Sequence, residues 1–273
     1  MDSTRVRILA ISILWLWSLA PLAFTHDLYL MPQKWVTESG ALLKIHFENG
    51  DLFPAGGHPV APARLRNTRL ISKAGTTPFE GITAGKTRTE ASVRIPGAGL
   101  VTLTAETLPN FIELSAPKFQ SYLKKEHLTH VQKWRKANGE AAKPGRERYS
   151  KYVKSMVRAG ASDGHLAAAG LTVEFAAFAD PYNLAPGGTL PVQLLFRGQP
   201  ADGVAVEGAW LERGKTVYRT IGRTGARGRI DVPIRASGPH RLHAIIMERC
   251  KDPKAADWES FWATLTFEIP ASK

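Results

Sequence analysis

Cysteine is nearly absent from this sequence of 273 residues, in which Cys250 stands alone. A single cysteine cannot form a disulfide within the chain, and a structural zinc site has no cysteine pair to use. The His-Glu-x-x-His spacing of zinc proteases is also absent, and so is the full phosphate-binding loop of nucleotide hydrolases. These absences favour a protein that is not an enzyme.

Acidic residues are the scarcer charges, with 24 Asp and Glu against 36 Lys and Arg and a net charge of +12. A basic excess of this size favours anionic partners, such as the anionic surfaces of a cell envelope, and repels cations in general. The hydrophobic share of 44% is ordinary for a globular protein. No repeat with a period of 20 to 50 residues is visible, which excludes a solenoid.

Residues 1–25 have the pattern of a cleavable secretory signal peptide, a short basic segment followed by an apolar run. Ala23 and Thr25 occupy the −3 and −1 positions of a cleavage site before His26. An uncleaved membrane anchor is the alternative, because the apolar run is near the lower length limit for a membrane span. We expect export to the periplasm, and therefore no nucleic-acid partner.

Cleavage at this position would make His26 the first residue of the processed protein. Its free α-amine and its imidazole could then bind one metal ion as a chelate, and imidazole nitrogen suits nickel, copper, zinc and iron. The alternative is that this residue binds nothing. The candidate metal ligands are histidines, namely His26, His46, His58, His127, His130 and His243. A copper oxidase of the histidine-brace type needs a second histidine, which the sequence alone does not identify.

The hydrophobic pattern predicts a mostly β protein. Residues 41–48 alternate, with Leu43, Ile45 and Phe47 on one side, as in a half-buried strand. Further short strands are predicted at 91–95, 100–106 and 111–114. From residue 171 onward, seven more are predicted, at 171–178, 190–196, 204–212, 216–221, 229–234, 241–247 and 261–269. That number of short strands in about 100 residues matches an immunoglobulin or fibronectin type III sandwich.

The period changes to that of a helix between residues 116 and 160. Apolar residues from Phe119 to Trp134 recur at three- and four-residue steps, and a second set runs from Tyr149 to Val157. The two sets predict a helical hairpin. Its outer face is expected to be basic through Lys124, Lys125, Lys133, Arg135, Lys136, Lys151 and Lys154.

The predicted organisation is therefore two immunoglobulin- or fibronectin-like β-sandwich domains with an inserted helical hairpin. The segments are a signal peptide at 1–25, an N-terminal sandwich at 26–115, the hairpin at 116–160, a linker at 161–170 and a C-terminal sandwich at 171–273.

Several segments resemble a family of exported bacterial proteins that was first catalogued as a domain of unknown function. The resemblance lies in His26-Asp27, in residues 111–114 and 118–123, in 145–152, in 180–184 and in 257–267. Members of that family are often described as periplasmic components of nickel or cobalt uptake. The chain departs from the family at Ile246, where members tend to have a histidine before the methionine of the penultimate strand; the nearest imidazoles are those of His243 and His240.

The resemblance implies a non-enzymatic accessory protein that binds Ni²⁺ or Co²⁺ and presents it to a membrane metal transporter. The alternative is an interaction module without metal, whose basic and aromatic surface contacts the cell envelope or a partner protein. Metal binding predicts a second histidine within a few ångströms of the His26 α-amine. The interaction hypothesis predicts scattered histidines and an exposed basic stripe on the hairpin.

Overall fold

The structure is a computed structural model that describes residues 26–161 and 168–271. The predicted signal peptide, residues 1–25, lies outside the described residues, and so does most of the predicted linker. The described residues are mostly β, as the sequence predicts. The strands are β1 Asp27–Pro32, β2 Val36–Thr37, β3 Leu42–Gly50, β4 Leu65–Ser72, β5 Gly75–Pro78, β6 Glu80–Ala84, β7 Thr89–Arg94, β8 Gly99–Thr107, β9 Asn110–Leu114, β10 Gly145–Ala159, β11 Val173–Ala177, β12 Thr189–Phe196, β13 Gln199–Pro200, β14 Ala205–Glu212, β15 Lys215–Arg223, β16 Arg229–Pro233, β17 Gly238–Arg249 and β18 Trp258–Ile269, with helices α1 Ala116–Lys125 and α2 Thr129–Ala137.

Three sheets build the described fold. One sheet has the order β1-β3-β7-β6, and another joins β11, β12, β13 and β16. The largest sheet has the order β15-β14-β17-β18-β10-β8-β4-β5, with β2 and β9 paired to β10. Each smaller sheet packs on one part of this large sheet, which therefore serves two hydrophobic cores. The predicted boundaries between two sandwich domains stay a prediction, since one sheet runs through both halves.

Strand β10 lies at the centre of the large sheet. It pairs in parallel with β18 and antiparallel with β8 and β9. Most of its side chains from Ser150 to Val157 are buried. A strand covered on both faces shows no clear alternation in its sequence.

The helical hairpin is confirmed, but it is shorter than predicted and forms within the first helical segment. Helices α1 and α2 are separated by a turn in which His127 has a φ of 56°, a left-handed conformation that ends the first helix. Phe119, Leu123 and Val131 pack against two tryptophans of β18, Trp258 and Trp262. The hairpin therefore covers one face of the large sheet.

The predicted second helix at residues 149–157 is wrong, because this segment is part of β10. Tyr149, Tyr152, Val153, Met156 and Val157 match a helical spacing only because both faces of the strand are buried. The predicted basic outer face is also wrong in three places. Arg135, Lys151 and Lys154 are buried, whereas Lys124, Lys125, Lys133 and Lys136 are exposed on the helices.

Among the described residues, no helix combines the length and the apolar character needed to cross a membrane.

Candidate functional site

Strand register brings two of the predicted ligands together. Strand β1 pairs with β3 so that Asp27 lies opposite Gly50. The residue before β1, His26, therefore meets the residue after β3, Asp51, and its Nδ1 lies 3.1 Å from the Asp51 Oδ2. The following loop returns to β3, where the His58 N–H donates to the Asn49 carbonyl at 3.0 Å. The rings of His26 and His58 consequently stack, with centroids 4.8 Å apart.

Glycine at two positions lets the loop return this closely. A Cβ on Gly56 would lie 2.5 Å from the carbonyl carbon of Asn49, and one on Gly50 would lie 1.8 Å from the Gly56 carbonyl oxygen. No side chain larger than hydrogen fits at such distances. The Gly56 N–H also donates to the buried Glu48 carboxylate at 2.9 Å. The backbone approach between Asn49 and Gly56 thus fixes where the chain reaches His58.

The same loop is held from the other half of the protein by β15. The Tyr218 hydroxyl donates to the Asp51 carbonyl at 2.8 Å and accepts the Phe53 N–H at 2.9 Å. Thr216 donates to the Phe53 carbonyl, and the Phe53 side chain is buried against Tyr29. The position of Asp51 beside His26 therefore depends on contacts between the two halves.

Replacing Tyr218 with phenylalanine is expected to lower the free energy of unfolding by about 1–3 kcal/mol, because two hydrogen bonds of about 0.5–1.5 kcal/mol each are lost while the ring stays. Urea denaturation of the wild type and of Tyr218→Phe measures this difference. Tyr152→Phe, which changes a tyrosine of β10 outside the loop, serves as the comparison for removing a hydroxyl. An unchanged stability in Tyr218→Phe would show that the loop does not depend on this hydroxyl.

The candidate site on this loop consists of His26, His58 and Asp51. The His26 side chain is 32% exposed and that of Asp51 is 55% exposed. The two rings lie nearly parallel, at 17°, so their nitrogen lone pairs do not converge on one point. In keeping with this, no three His, Cys, Asp or Glu side chains of the described residues are arranged to hold a metal ion as they stand. His58 is exposed.

Asp27 is the first residue of β1, and its carboxylate contacts groups other than the His26 ring. Its carboxylate faces inward, where it pairs with Arg241 and lies 3.3 Å from the Nδ1 of His243. His243 also reaches Glu126 at 3.4 Å, and Arg241 reaches Glu207 at 2.9 Å. This group of five charged side chains, called the inner charge cluster below, lies directly behind the first strand.

The inner charge cluster shifts the titration of its members. Burial alone would raise the pKa of Asp27, but Arg241 and then His243 hold that pKa below its ordinary value. Burial would lower the pKa of His243, yet Asp27 and then Glu126 raise it above the ordinary value. The two carboxylates therefore favour the protonated form of His243, and protonation competes with metal binding.

The other predicted ligands lie apart from His26. The His46 Nδ1 contacts Arg88 at 3.0 Å, and burial together with this cation lowers the pKa of His46. His127 and His130 do not share a helix face: His127 lies in the turn and contacts Thr220, whereas the His130 Nε2 contacts the Met247 carbonyl at 2.9 Å. Of the six predicted histidines, the structure therefore brings His26 and His58 into ring contact.

Two acidic residues near the end of the chain pair with arginines of β10. Arg146 binds Asp257 at 2.8 Å and Arg148 binds Glu259 at 2.6 Å. Cys250 is buried and free.

Sequence reasoning did not identify Asp51 or Lys151 as neighbours of His26. The Nζ of Lys151 donates to the His26 carbonyl and lies 3.4 Å from the Asn49 Oδ1. The motif Asn49-Gly50-Asp51 indicated only the end of a strand. Both contacts depend on which strands pair, and nothing in the local sequence specifies that pairing.

Comparisons with known proteins give one family and several distant structures. The family model described as "Domain of unknown function (DUF4198)" matches residues 23–248. A search of curated proteins gives no match. The D0-D1 domain of intimin is 12% identical over 89% of this chain and 98% of its own, with a TM-score of 0.23. The Escherichia coli adhesin FdeC is 11% identical over 90% of this chain and 64% of its own, with a TM-score of 0.24. Scores of this size carry no argument about function.

Proposed function

This chain belongs to the family described as a domain of unknown function (DUF4198), and from the residues around His26 we propose that it binds a transition-metal ion, nickel or cobalt, at the start of the exported chain. The protein would act as a non-enzymatic accessory that passes the ion to a membrane metal transporter. The observation that carries the proposal is the contact between the rings of His26 and His58.

The donors fit such an ion in type and in number. After cleavage at His26, the α-amine and the His26 imidazole form a chelate, and the His58 imidazole supplies a third nitrogen. Nickel and cobalt accept imidazole nitrogen readily. The Asp51 carboxylate, which contacts the Nδ1 of His26, either joins as an oxygen ligand or accepts a hydrogen bond from a ligand ring.

Local charge supports a cation at this place despite the basic surface of the whole protein. Asp51 supplies a negative charge beside His26. The neighbouring cation, Lys151, is directed at the His26 carbonyl and not at its ring. The exposure of His58 and Asp51 suits a carrier, because an ion bound at the surface can be transferred to a second protein.

Calorimetric titration with Ni²⁺ and Co²⁺ tests the proposal, on protein processed in cells and shown by intact mass to begin at His26. We expect micromolar or tighter binding. One additional residue before His26 acylates the α-amine and is expected to weaken binding at least tenfold. His58→Ala is expected to weaken it to a similar degree, whereas the exposed His127 can be replaced with alanine without loss.

Absence of heat with the processed protein would overturn the proposal. Equal binding by the processed and the extended protein would place the site at other histidines and would overturn the role of the α-amine.

A second candidate function, contact with an anionic envelope surface, is favoured by the exposed lysines of the hairpin. Helices α1 and α2 expose Lys118, Lys124, Lys125, Lys133 and Lys136. Binding of this kind needs no metal. It would persist in the presence of a chelator and weaken as salt is added.

A further inference from the structure

A cavity of about 180 Å³ lies beside the segment that follows His58. Its lining combines apolar residues, Leu28 and residues 59–61, with two cationic residues, Arg64 and Lys151. The cavity is separate from the rings of His26 and His58, which do not line it.

Lys151 is a buried lysine that forms no salt bridge with any residue the structure describes. It is 8% exposed, and its hydrogen-bond partners among the described residues are two neutral oxygens, those of the His26 backbone and the Asn49 side chain. Buried charges are ordinarily paired. Lys154, the next lysine on the same strand, follows that rule, since its Nζ lies 2.7 Å from the Glu174 carboxylate.

Arg64 adds a second positive charge to the lining of the cavity. Its Nη2 donates to the Leu108 carbonyl at 2.7 Å, another neutral oxygen. The two cations repel each other: burial first, and then Arg64, lower the pKa of Lys151, against the opposing effect of Asp27, to about 8. An anion between them would remove this repulsion.

Two of the residues that line the cavity, Tyr149 and Thr107, carry hydroxyl groups. The Tyr149 hydroxyl accepts a hydrogen bond from the Asn110 side chain at 2.7 Å, so its own proton is available for donation. Thr107 accepts the Lys151 N–H at 3.0 Å and likewise keeps its hydroxyl proton. The lining of the cavity thus contains two cations and two hydroxyl donors.

We propose that this cavity binds a small organic carboxylate, with its carboxylate group on Lys151 and Arg64 and its hydrocarbon part on Leu28 and the 59–61 segment. The apolar lining residues favour such a ligand over inorganic phosphate, which has no apolar part to contact them. The volume of about 180 Å³ suits a small ligand. The proposal does not depend on the metal function.

Titration of the processed protein with butyrate, after metal ions have been removed with a chelator, tests the inference by calorimetry. Butyrate is expected to bind, and butyramide, its neutral analogue, is not. Lys151→Met and Arg64→Gln are each expected to weaken butyrate binding at least tenfold, while Lys133→Met, which removes an exposed lysine of α2, leaves it unchanged. Because the chelator removes metal ions, failure of metal binding at His26 leaves this result unaffected.

Lys151→Met also removes a hydrogen bond to the His26 backbone, and Arg64→Gln provides a variant in which that bond remains. Urea denaturation of both variants confirms that each is folded before binding is measured. No binding of butyrate would overturn the inference, and so would equal binding by the wild type and both folded variants. Tighter binding of inorganic phosphate than of butyrate would overturn the organic carboxylate as the ligand class.

Discussion

Replacing Glu174 with alanine is expected to lower the free energy of unfolding by about 3–5 kcal/mol, the range for breaking a buried ion pair by removal of one partner. The partner is Lys154, whose Nζ lies 2.7 Å from the Glu174 Oε2, with both side chains 2% exposed. Without Glu174, the lysine keeps its hydrogen bond to the Phe175 carbonyl at 3.0 Å.

Glu174 also serves as an acceptor for backbone groups, which adds to the loss. Its two oxygens accept the N–H groups of Ala169, Gly170 and Leu171, at 2.7 to 3.2 Å. These residues lead into β11, so the carboxylate fixes the start of the C-terminal sheet against β10. An unsatisfied buried N–H costs about 1–3 kcal/mol.

Urea denaturation of Glu174→Ala, Lys154→Met and the double variant separates the two contributions in a double-mutant cycle. Lys154→Met removes the charge but leaves the backbone contacts of Glu174. We expect the double variant to be less destabilised than the sum of the single variants, because it leaves no unpaired charge. A loss below about 1 kcal/mol in Glu174→Ala would contradict a stabilising role for the pair.

The strands with one exposed face were predictable from the sequence alone. In β3, Leu43, Ile45 and Phe47 are buried while Leu42 and Lys44 are exposed, so the alternation reports the two faces directly. Strand β10 was not predictable in this way, because it is covered on both faces. Lys151 and Lys154 made a helix with a solvated face the better hypothesis, and their burial results from the central position of the strand.

The candidate site shows the same division. The sequence identifies His26 and His58 as residues able to bind a metal ion, since histidine carries that chemistry wherever it lies. Their contact depends on the register of β1 against β3 and on the close approach of Gly56 to Asn49, which only the folded chain shows. Local sequence predicts which side chains can act, whereas long-range pairing determines which of them meet.

Replacing Asp27 with asparagine is expected to lower the free energy of unfolding by about 3 kcal/mol at pH 6. This is the lower end of the range for a broken buried pair, because Glu207 still pairs with Arg241. If Glu207 did not pair with it, Arg241, which is 2% exposed, would keep its charge without a carboxylate partner in this variant. The same substitution at the exposed Asp51 is the matched control, with an expected change within about 0.5 kcal/mol.

The effect of Asp27→Asn is expected to depend on pH with a definite sign. The pKa of Asp27 lies below its ordinary value of 3.8, so its stabilising contribution is present above pH 3.8 and is lost as the pH falls through the lowered pKa. The pKa of His243 lies above its ordinary value of 6.5, so its contribution is present below pH 6.5 and is lost as the pH rises through the raised pKa. The difference between wild type and variant is therefore largest between about pH 4 and 6.5.

Urea denaturation from pH 3 to 9, together with an NMR titration of the His243 ring, measures both parts of this prediction. Apart from burial, which lowers it, Asp27 has the largest effect on the pKa of His243, so the variant should show a lower His243 pKa than the wild type. A stability difference that stays constant across this pH range would mean that Asp27 acts through packing alone. An unchanged His243 titration would show that the two side chains are not coupled, and the inner charge cluster would then not link the first strand to the helical hairpin.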